Sequence, residues 1–390
     1  MGKHVIFACA LVALIAQVRG QIVPLKIIDN AHEKLAVCID GSPAGYHYDP
    51  GFGDGVNNWI VYLMGGGWCA HWTCYLRMGE FHGGTKNVHV GPETFSGILS
   101  SDQSVNPEFY NWNRVFLRYC DGASFLGDTE QDDNGRLVQF RGSRIFSSAM
   151  DELLQKGMKN AENALLTGCS AGGLATILHC DEFKSLLPNA KRVKCVADSG
   201  FFIRAKDFPG AEGREKNFRN VIDFHKLYDI LPKSCTSKVN VSLCLFAEYL
   251  VGDVQTPLFL LNPIFDSYQV KYLSPNPPEL EGWNTSCINV TAIPAPPPTP
   301  NTCTPPQMKF IKDFGATFLD AINGLPDNPS RGLFMTSCFY HVLTVSNALW
   351  NGPTCKLQDK TISQAIGDWY FDRSPIRMID NRIDAPVKCG

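Results

Sequence analysis

The stretch LLTGCSAGGLA, Leu165 to Ala175, constrains the fold more than any other part of the sequence. An apolar run precedes it, a helical pattern follows it, and residues 168 to 172 between them match G-x-S-x-G. A serine in a strand-to-helix turn needs small neighbours, because the sharp turn brings other backbone segments close and lifts the hydroxyl above the sheet. The stretch predicts Ser170 as a candidate nucleophile. Cys169 lies one residue too early for this turn, so we expect it to point toward the core or a disulfide partner.

Apolar runs of strand length alternate with helical patterns along most of the chain. Strands are expected in NWIVYLMGG, NRVFLRYC, NALLTG, RVKCVADSG, TPLFLLN and GLFMTSC, and helices in SRIFSSAMDELLQKGM, GGLATILHCDEFKSLL and QMKFIKDFGATFLDAI. This alternation predicts a mainly parallel central sheet flanked by helices, and functional groups in such folds gather at the carboxyl ends of the strands.

The first twenty residues are typical of a secretory signal peptide. Lys3 and His4 precede the apolar run VIFACALVALIA, and the small residue Gly20 closes the segment. No later run has the roughly 18 to 20 apolar residues of a membrane span. We expect a secreted protein with up to seven disulfides among its remaining 14 cysteines. Sequons at Asn240, Asn284 and Asn289 agree with secretion.

Residues 21–390 are interpreted as one domain without internal repeats. The proline-rich segment 293–306 is expected to be a surface loop within the domain, because an expected helix and a strand that leads to candidate catalytic residues follow it. Without residues 1–20 the formal net charge is −5, and with no basic arm this argues against a nucleic-acid partner. The cysteines show no C-x-x-C pair, so we expect neither zinc nor another cofactor. The protein is expected to be a monomer.

A serine nucleophile needs a base and an acid that orients the base, in the chain order serine, acid, histidine. Three histidines follow Ser170: His179, His225 and His341. His179 lies within the helix that the serine turn starts, and His225 lies in an amphipathic helical pattern. His341 follows the strand GLFMTSC and is the best candidate base by position.

The acid has two candidates. Asp266 follows the strand TPLFLLN, as expected for the strand before the one that leads to the histidine. Asp198 ends the strand RVKCVAD, and some hydrolases take their acid from an earlier strand. An aspartate in either place could also be an ordinary cap or turn residue. We favour Asp266 over Asp198.

Acyl transfer also needs hydrogen-bond donors for the oxyanion. The backbone N–H of Ala171, after the nucleophile, is one expected donor. The glycine-rich segment YLMGGGWCA ends a strand about a hundred residues earlier, so Gly66, Gly67 and Trp68 are expected to supply others. Each such donor is worth roughly 100- to 1000-fold in rate.

The quoted segments GGGWC, GCSAGG, DSGFF, FDSYQ and CFYH resemble, in order, those of the plant pectin acetylesterases, whose wider family includes the animal carboxylesterase Notum. The resemblance spans nearly all of residues 21–390. It implies an α/β-hydrolase-like single domain, a triad of Ser170, Asp266 and His341, and an oxyanion hole around Gly67, Trp68 and Ala171.

The same resemblance implies release of acetyl groups from acetylated pectin in the cell wall. Two alternatives remain open, a lipid-type carboxylesterase of the Notum kind and an inactive wall-binding protein. Pectin is polyanionic and the protein is not basic, so its recognition would need local groups. The candidates near the site segments are Arg77, Arg118, Arg141, Trp68 and Trp72.

Overall fold

The computed structural model describes residues 21–86, 90–133, 136–272, 287, 302–384 and 386–389. The expected signal peptide, the sequons at Asn284 and Asn289 and the greater part of the proline-rich segment, residues 293–301, lie outside these ranges. Asn240 lies within them and is exposed. No helix in the described ranges is long and apolar enough to span a bilayer.

Nine strands within these ranges form a central sheet. Numbered in chain order and given from one edge to the other, they are β13 (Arg377–Ile379), β12 (Gly332–Thr336), β11 (Leu258–Pro263), β10 (Arg192–Asp198), β9 (Asn163–Cys169), β4 (Asn58–Leu63), β6 (Asn113–Leu117), β3 (Gly45–Asp49) and β2 (Leu25–Ile27). The seven strands from β13 to β6 are parallel, and β3 and β2 extend the sheet antiparallel. Two short ribbons pair β1 (Gln21–Val23) with β5 (Glu93–Phe95) and β7 (Thr129–Asp133) with β8 (Arg136–Phe140).

The central strands are apolar along their length because both faces of the sheet are covered. Every residue of β6, β11 and β12 is buried, and Ile60 to Leu63 of β4 are fully buried. An alternating pattern would have indicated one face open to water. The expected strands are thus confirmed, and β4 ends at Leu63, before the glycine triplet.

Helices connect and flank these strands. They are α1 (Trp72–Arg77), α2 (Gly142–Gln155), α3 (Ala171–Ser185), α4 (Ala211–His225), α5 (Lys233–Thr236), α6 (Ser267–Tyr272), α7 (Pro305–Asn323), α8 (Asn347–Trp350) and α9 (Ile362–Tyr370). The helix α7 begins where Thr304 and Gln307 form a capping box ahead of the apolar repeat, which is the reason a helix forms there. The three helices expected from the sequence correspond to α2, α3 and α7.

Six disulfides form among the 14 cysteines that follow residue 20. They join Cys38 to Cys120, Cys69 to Cys74, Cys180 to Cys195, Cys235 to Cys244, Cys287 to Cys303 and Cys338 to Cys389. Cys169 and Cys355 are free thiols, so the maximum of seven bridges is not reached. Cys355 lies 3.6 Å from the sulfur of Cys338, which is already bonded to Cys389.

Candidate active site

Ser170 occupies the sharp turn between β9 and α3. Its backbone has φ 56° and ψ −123°, a conformation that is costly for a residue with a side chain and is typical of strained functional turns. Glycines allow the neighbouring backbone segments to pass close to this turn. A Cβ at Gly65 would lie 2.9 Å from the Cβ of Ser170, and one at Gly172 would lie 2.1 Å from the carbonyl oxygen of Leu63. The expected strand–turn–helix context of Ser170 is confirmed.

His341 lies beyond the carboxyl end of β12 and lines the same cavity as Ser170. Its Nδ1 is 2.9 Å and 3.0 Å from the two carboxylate oxygens of Asp266, so this nitrogen donates its proton to the carboxylate. Its Nε2 is buried and has no hydrogen-bond partner among the described residues. The ring of Tyr268 stacks on the imidazole at 5.1 Å between centroids. The imidazole is therefore held with Nδ1 toward the carboxylate, while no residue in the described part of the chain pairs with Nε2.

Asp266 is fixed at the start of α6, three residues after β11. It is fully buried, and one of its oxygens accepts the backbone N–H groups of Tyr268 and Gln269, each at 3.0 Å. Two backbone donors orient the carboxylate toward His341 without competing for its second oxygen. The geometry thus brings Asp266 and His341 together as the sequence predicted.

Asp198, the other candidate acid, serves the backbone of the segment that follows His341. One of its oxygens accepts the N–H groups of Leu343 and Thr344, both at 2.8 Å, and the Thr344 hydroxyl at 2.7 Å. Burial raises the pKa of this carboxyl. Of the two carboxylates considered, only Asp266 is hydrogen-bonded to the imidazole.

The other two histidines after Ser170 have structural surroundings. His179 in α3 contacts Glu182 at 2.7 Å and stacks on Phe146. His225 is fully buried at the end of α4, where its Nε2 lies 2.9 Å from the carbonyl oxygen of Cys69 and burial lowers its pKa to about 4. Neither histidine lines the cavity that holds Ser170.

Cys169 lines that cavity beside Ser170, and it remains unpaired instead of reaching a disulfide partner. Burial raises the pKa of its thiol to about 12. A thiol that stays protonated is a poor nucleophile, because the thiolate is the reactive form. Of these two neighbouring side chains, the serine is therefore the better candidate nucleophile.

The glycine-rich segment after β4 turns sharply beside the serine. Gly66 has φ 155° and Gly67 has φ 65°, both in the region that favours glycine. Gly67 lines the cavity with Ser170. Within the described ranges, the backbone N–H groups of Gly67, Trp68 and Ala171 donate no hydrogen bond. These are the donors that the sequence predicted for an oxyanion.

The side chain of Trp68 points elsewhere. Its indole packs edge-on against Phe202 at 4.7 Å and Phe218 at 5.0 Å, and its Nε1 donates to the hydroxyl of Ser124 at 2.8 Å. It borders a second cavity of about 320 Å³. Only the backbone of Trp68 is thus a candidate participant in the chemistry.

The cavity that holds Ser170 has a volume of about 600 Å³. Apolar side chains supply much of its wall: Tyr62, Met64, Phe95, Leu99, Phe116, Val342 and Val345. Its polar lining includes His82 and Glu93. Burial and the nearby guanidinium groups of Arg77 and Arg118 lower the pKa of His82 to about 4, so that side chain is neutral near pH 7.

The candidate substrate-binding arginines have partners of their own. Arg141 pairs with Asp128 at 2.9 Å and with Glu130, and Arg118 lies 3.5 Å from Glu93. Arg77 donates to the carbonyl oxygen of Trp68, the residue that follows the glycine triplet, at 3.0 Å. Trp72 is 67% exposed beside the smaller cavity and remains accessible to a ligand.

Two sets of three side chains come close enough together to suggest metal ligation in the described part of the chain: Cys69, Cys74 and His225, and Cys338, Cys355 and Cys389. Two cysteines of each set are joined in a disulfide. They have no thiolate to offer, and thiolate is the form of cysteine that binds metals.

Three residues near the reactive groups were not predicted from the sequence: Tyr119, Ser124 and Tyr268. Tyr268 falls in the quoted segment FDSYQ, so its position next to Asp266 could have suggested a contact with the histidine. Tyr119 and Ser124 lie in YCDGASF after β6, where only the turn-forming composition indicates a loop near the carboxyl edge of the sheet.

Comparison with known proteins places these features in a family. The family model for pectinacetylesterase matches residues 16–390. Pectin acetylesterase 7 of Arabidopsis thaliana is 42% identical over 364 residues, covering 92% of this chain and 90% of that protein. Pectin acetylesterase 11 of the same plant is 41% identical, with 95% and 93% covered.

Animal carboxylesterases are more distant relatives. The palmitoleoyl-protein carboxylesterase NOTUM of Mus musculus is 29% identical, over 60% of this chain and 48% of that protein. The crystal structure of the Wnt deacylase Notum from Drosophila superimposes with a TM-score of 0.74 and 24% identity, covering 93% of this chain and 97% of that one, and so shows the same fold. The chain therefore belongs to the pectinacetylesterase family, and it is a carboxylic ester hydrolase with a single-domain α/β-hydrolase fold.

Proposed function

We propose that this protein is a serine esterase that removes acetyl groups from pectin, with Ser170, His341 and Asp266 as its triad. One observation carries the proposal. His341 is hydrogen-bonded to Asp266 through Nδ1, while its Nε2 has no partner in the described ranges and its side chain lines the cavity that also contains Ser170. An imidazole held in this way is ready to accept a proton from a serine hydroxyl once a substrate closes the site.

The reaction has two steps. His341 takes the proton of Ser170 as the serine oxygen attacks the acetyl carbonyl, and Asp266 stabilises the resulting imidazolium. The protonated His341 then gives its proton to the departing sugar hydroxyl, leaving an acetyl-serine. A water molecule, deprotonated by the same imidazole, hydrolyses this ester and releases acetate. The residues supply every proton transfer, and no metal or organic cofactor takes part.

The N–H groups of Gly67, Trp68 and Ala171 form the proposed oxyanion hole. They have no acceptor within the described ranges, and they lie on the two segments that meet beside Ser170. Donors fixed in advance stabilise the negative charge that develops on the carbonyl oxygen and require no reorganisation during the reaction.

Acetylated homogalacturonan is the proposed substrate because the two plant relatives above are named for pectin acetyl esters. We also propose that residues 1–20 direct secretion to the cell wall and that residues 21–390 act as a monomeric domain, with 293–306 as a surface loop. The six disulfides suit an oxidising compartment, and Asn240 is exposed as a glycosylation site must be.

A lipid-type carboxylesterase is the second candidate. The largely apolar wall of a 600 Å³ cavity favours it, because an acetyl group fills only a small part of such a volume. The same triad would serve both reactions, so the difference lies in the substrate alone.

Acetate release from acetylated homogalacturonan, compared with acetylated xylan and with an octanoyl ester, tests the substrate. We expect pectin to have the highest kcat/KM. A higher value for xylan would overturn the pectin assignment and keep the mechanism, whereas a higher value for the octanoyl ester would favour the lipid-type alternative. No hydrolysis of any of the three would favour a protein that only binds the wall.

A further inference from the structure

A buried tyrosine holds the peptide that carries one of the proposed oxyanion donors. The hydroxyl of Tyr119, two residues after β6, donates to the carbonyl oxygen of Gly67 at 2.8 Å. The same hydroxyl accepts the backbone N–H of Ser124 at 3.0 Å. Tyr119 is 1% exposed and its ring packs against Phe125. The hydroxyl of Tyr119 thus both donates and accepts a hydrogen bond inside the protein.

The contact with Gly67 sets the direction of the next N–H group. In a trans peptide the carbonyl and the N–H point in opposite directions. The oxygen of Gly67 points at Tyr119, so the N–H of Trp68 points away from it. Gly67, which precedes this peptide, has no side chain to limit its rotation, and its φ of 65° lies in the region that favours glycine. Without the tyrosine hydroxyl, a flipped peptide would present an oxygen where the reaction needs a donor.

Ser124 extends the same network to the other side of the proposed hole. Its Oγ donates to the carbonyl oxygen of Ala171 at 2.8 Å and accepts Nε1 of Trp68 at 2.8 Å. One side chain therefore ties the turn that carries Ser170 to the segment that carries Trp68. Ser124 is fully buried and has φ 56°, a strained conformation that the network must stabilise.

We propose that Tyr119 and Ser124 are positioning residues for the oxyanion hole, an inference that rests on the proposed function. Neither side chain lines the cavity that holds Ser170, so they act through the peptides they hold and not by contact with substrate. The hydrogen bonds from Tyr119 and Ser124 fix the two segments at a set separation, and this fixes the donors on each segment relative to Ser170. Their contribution is realised when the oxyanion forms.

A purely structural role would have a different signature, and kinetics separates the two. Loss of a transition-state interaction lowers kcat with little change in KM, whereas loss of stability alone leaves kcat of the folded enzyme intact. An inhibitor that forms an oxyanion makes the distinction sharper. A trifluoromethyl ketone bonded to Ser170 places its oxyanion in the hole, so its affinity should fall in parallel with kcat/KM.

The test compares kcat and KM of Tyr119→Phe and Tyr46→Phe with p-nitrophenyl acetate as substrate, at a temperature below the melting temperature of each variant. Tyr46 is a matched control, because it is equally buried and its hydroxyl donates to Glu152 at 2.7 Å, away from the cavity lining. We expect Tyr119→Phe to lower kcat by roughly 10- to 100-fold, part of the loss known for a missing oxyanion donor, with KM within about twofold. We expect the inhibitor constant of the ketone to rise by a similar factor. Tyr46→Phe should change neither quantity.

Ser124→Ala provides a second measurement that does not depend on the folding of Tyr119→Phe. We expect a similar loss of kcat, and a double variant whose loss is smaller than the product of the single losses, because the two residues act as one network. Wild-type kcat and ketone affinity in both single variants would overturn the inference, as would losses equal to those of Tyr46→Phe. Activity that persists in Ser170→Ala would instead refute the proposed function, so the two failures are distinguishable.

Discussion

The two buried aspartates at the carboxyl edge of the sheet should respond in opposite ways to substitution. Asp198 holds the backbone that follows His341, whereas Asp266 holds the imidazole. Replacement of Asp198 should therefore affect the free energy of unfolding, and replacement of Asp266 should affect kcat. The sequence left both open as the acid of a triad.

The cost of Asp198→Ala follows from the donors it leaves unpaired. The N–H groups of Leu343 and Thr344 are buried and cannot rotate to other acceptors, and each unsatisfied donor costs about 1 to 3 kcal/mol. The Thr344 hydroxyl can still pair with Tyr62, 3.1 Å away. We expect a loss of about 4 kcal/mol. In Asp198→Asn the amide oxygen can accept the same N–H groups, so we expect a loss of about 1 kcal/mol and near wild-type kcat.

Asp266→Asn should show the reverse pattern. The amide oxygen can keep the N–H groups of Tyr268 and Gln269, which preserves stability. Its NH₂ group would then face Nδ1 of His341 and favour the wrong tautomer, for which a loss of about 10⁴-fold in kcat is known in serine hydrolases. Urea unfolding and p-nitrophenyl acetate hydrolysis measure the two effects. A collapse of kcat in Asp198→Asn together with an active Asp266→Asn would refute this division of roles.

Three further predictions concern burial and close packing. Burial lowers the pKa of His225 to about 4, against about 6.5 in an unfolded chain. Its contribution to the free energy of unfolding is therefore complete above pH 6.5, and up to about 3 kcal/mol is lost as the pH falls to 4. Urea unfolding of His225→Gln beside the wild type should show that this part of the pH dependence disappears. Burial raises the pKa of the Cys169 and Cys355 thiols to about 12, so peptide mass spectrometry should find both unmodified by iodoacetamide in the native protein at pH 8 and modified after unfolding. Rapid modification of either thiol in the native protein would contradict the raised pKa. In Gly172→Ala the new Cβ would lie 2.1 Å from the carbonyl oxygen of Leu63, so we expect thermal unfolding to show a loss of at least about 2 kcal/mol in the free energy of unfolding. The control Gly213→Ala, where a Cβ meets no neighbour within 4 Å, should be neutral or stabilising.

Strands and the serine turn could be predicted from the sequence because their signals are local. A strand buried on both faces is a continuous apolar run, and the turn at Ser170 needs glycines at fixed offsets. The positions of Asp266 and His341 were predictable because successive parallel strands deliver their carboxyl ends to one edge. That placement brings a carboxylate and the imidazole to the same edge but does not by itself determine their hydrogen bond.

The supporting contacts could not be predicted, because they join segments far apart in the sequence. Tyr119 reaches Gly67 across 52 residues, and Asp198 reaches Leu343 across 145. A buried tyrosine after a strand has the same local pattern whether its hydroxyl holds an active-site peptide or a helix, as Tyr46 and Glu152 illustrate. The choice between Asp198 and Asp266 likewise depended on the direction of each carboxylate, which local sequence does not encode.

Acetate release from acetylated homogalacturonan by wild-type protein and by Ser170→Ala tests the central claim most directly. Ser185→Ala is a matched control, because Ser185 is exposed at the C-terminal end of α3, the helix that Ser170 precedes. We predict that the wild type and Ser185→Ala release acetate at equal rates. Ser170→Ala should have the same melting temperature as the wild type and should release no acetate above the uncatalysed rate. Acetate release by Ser170→Ala at a rate comparable to that of the wild type would contradict the account.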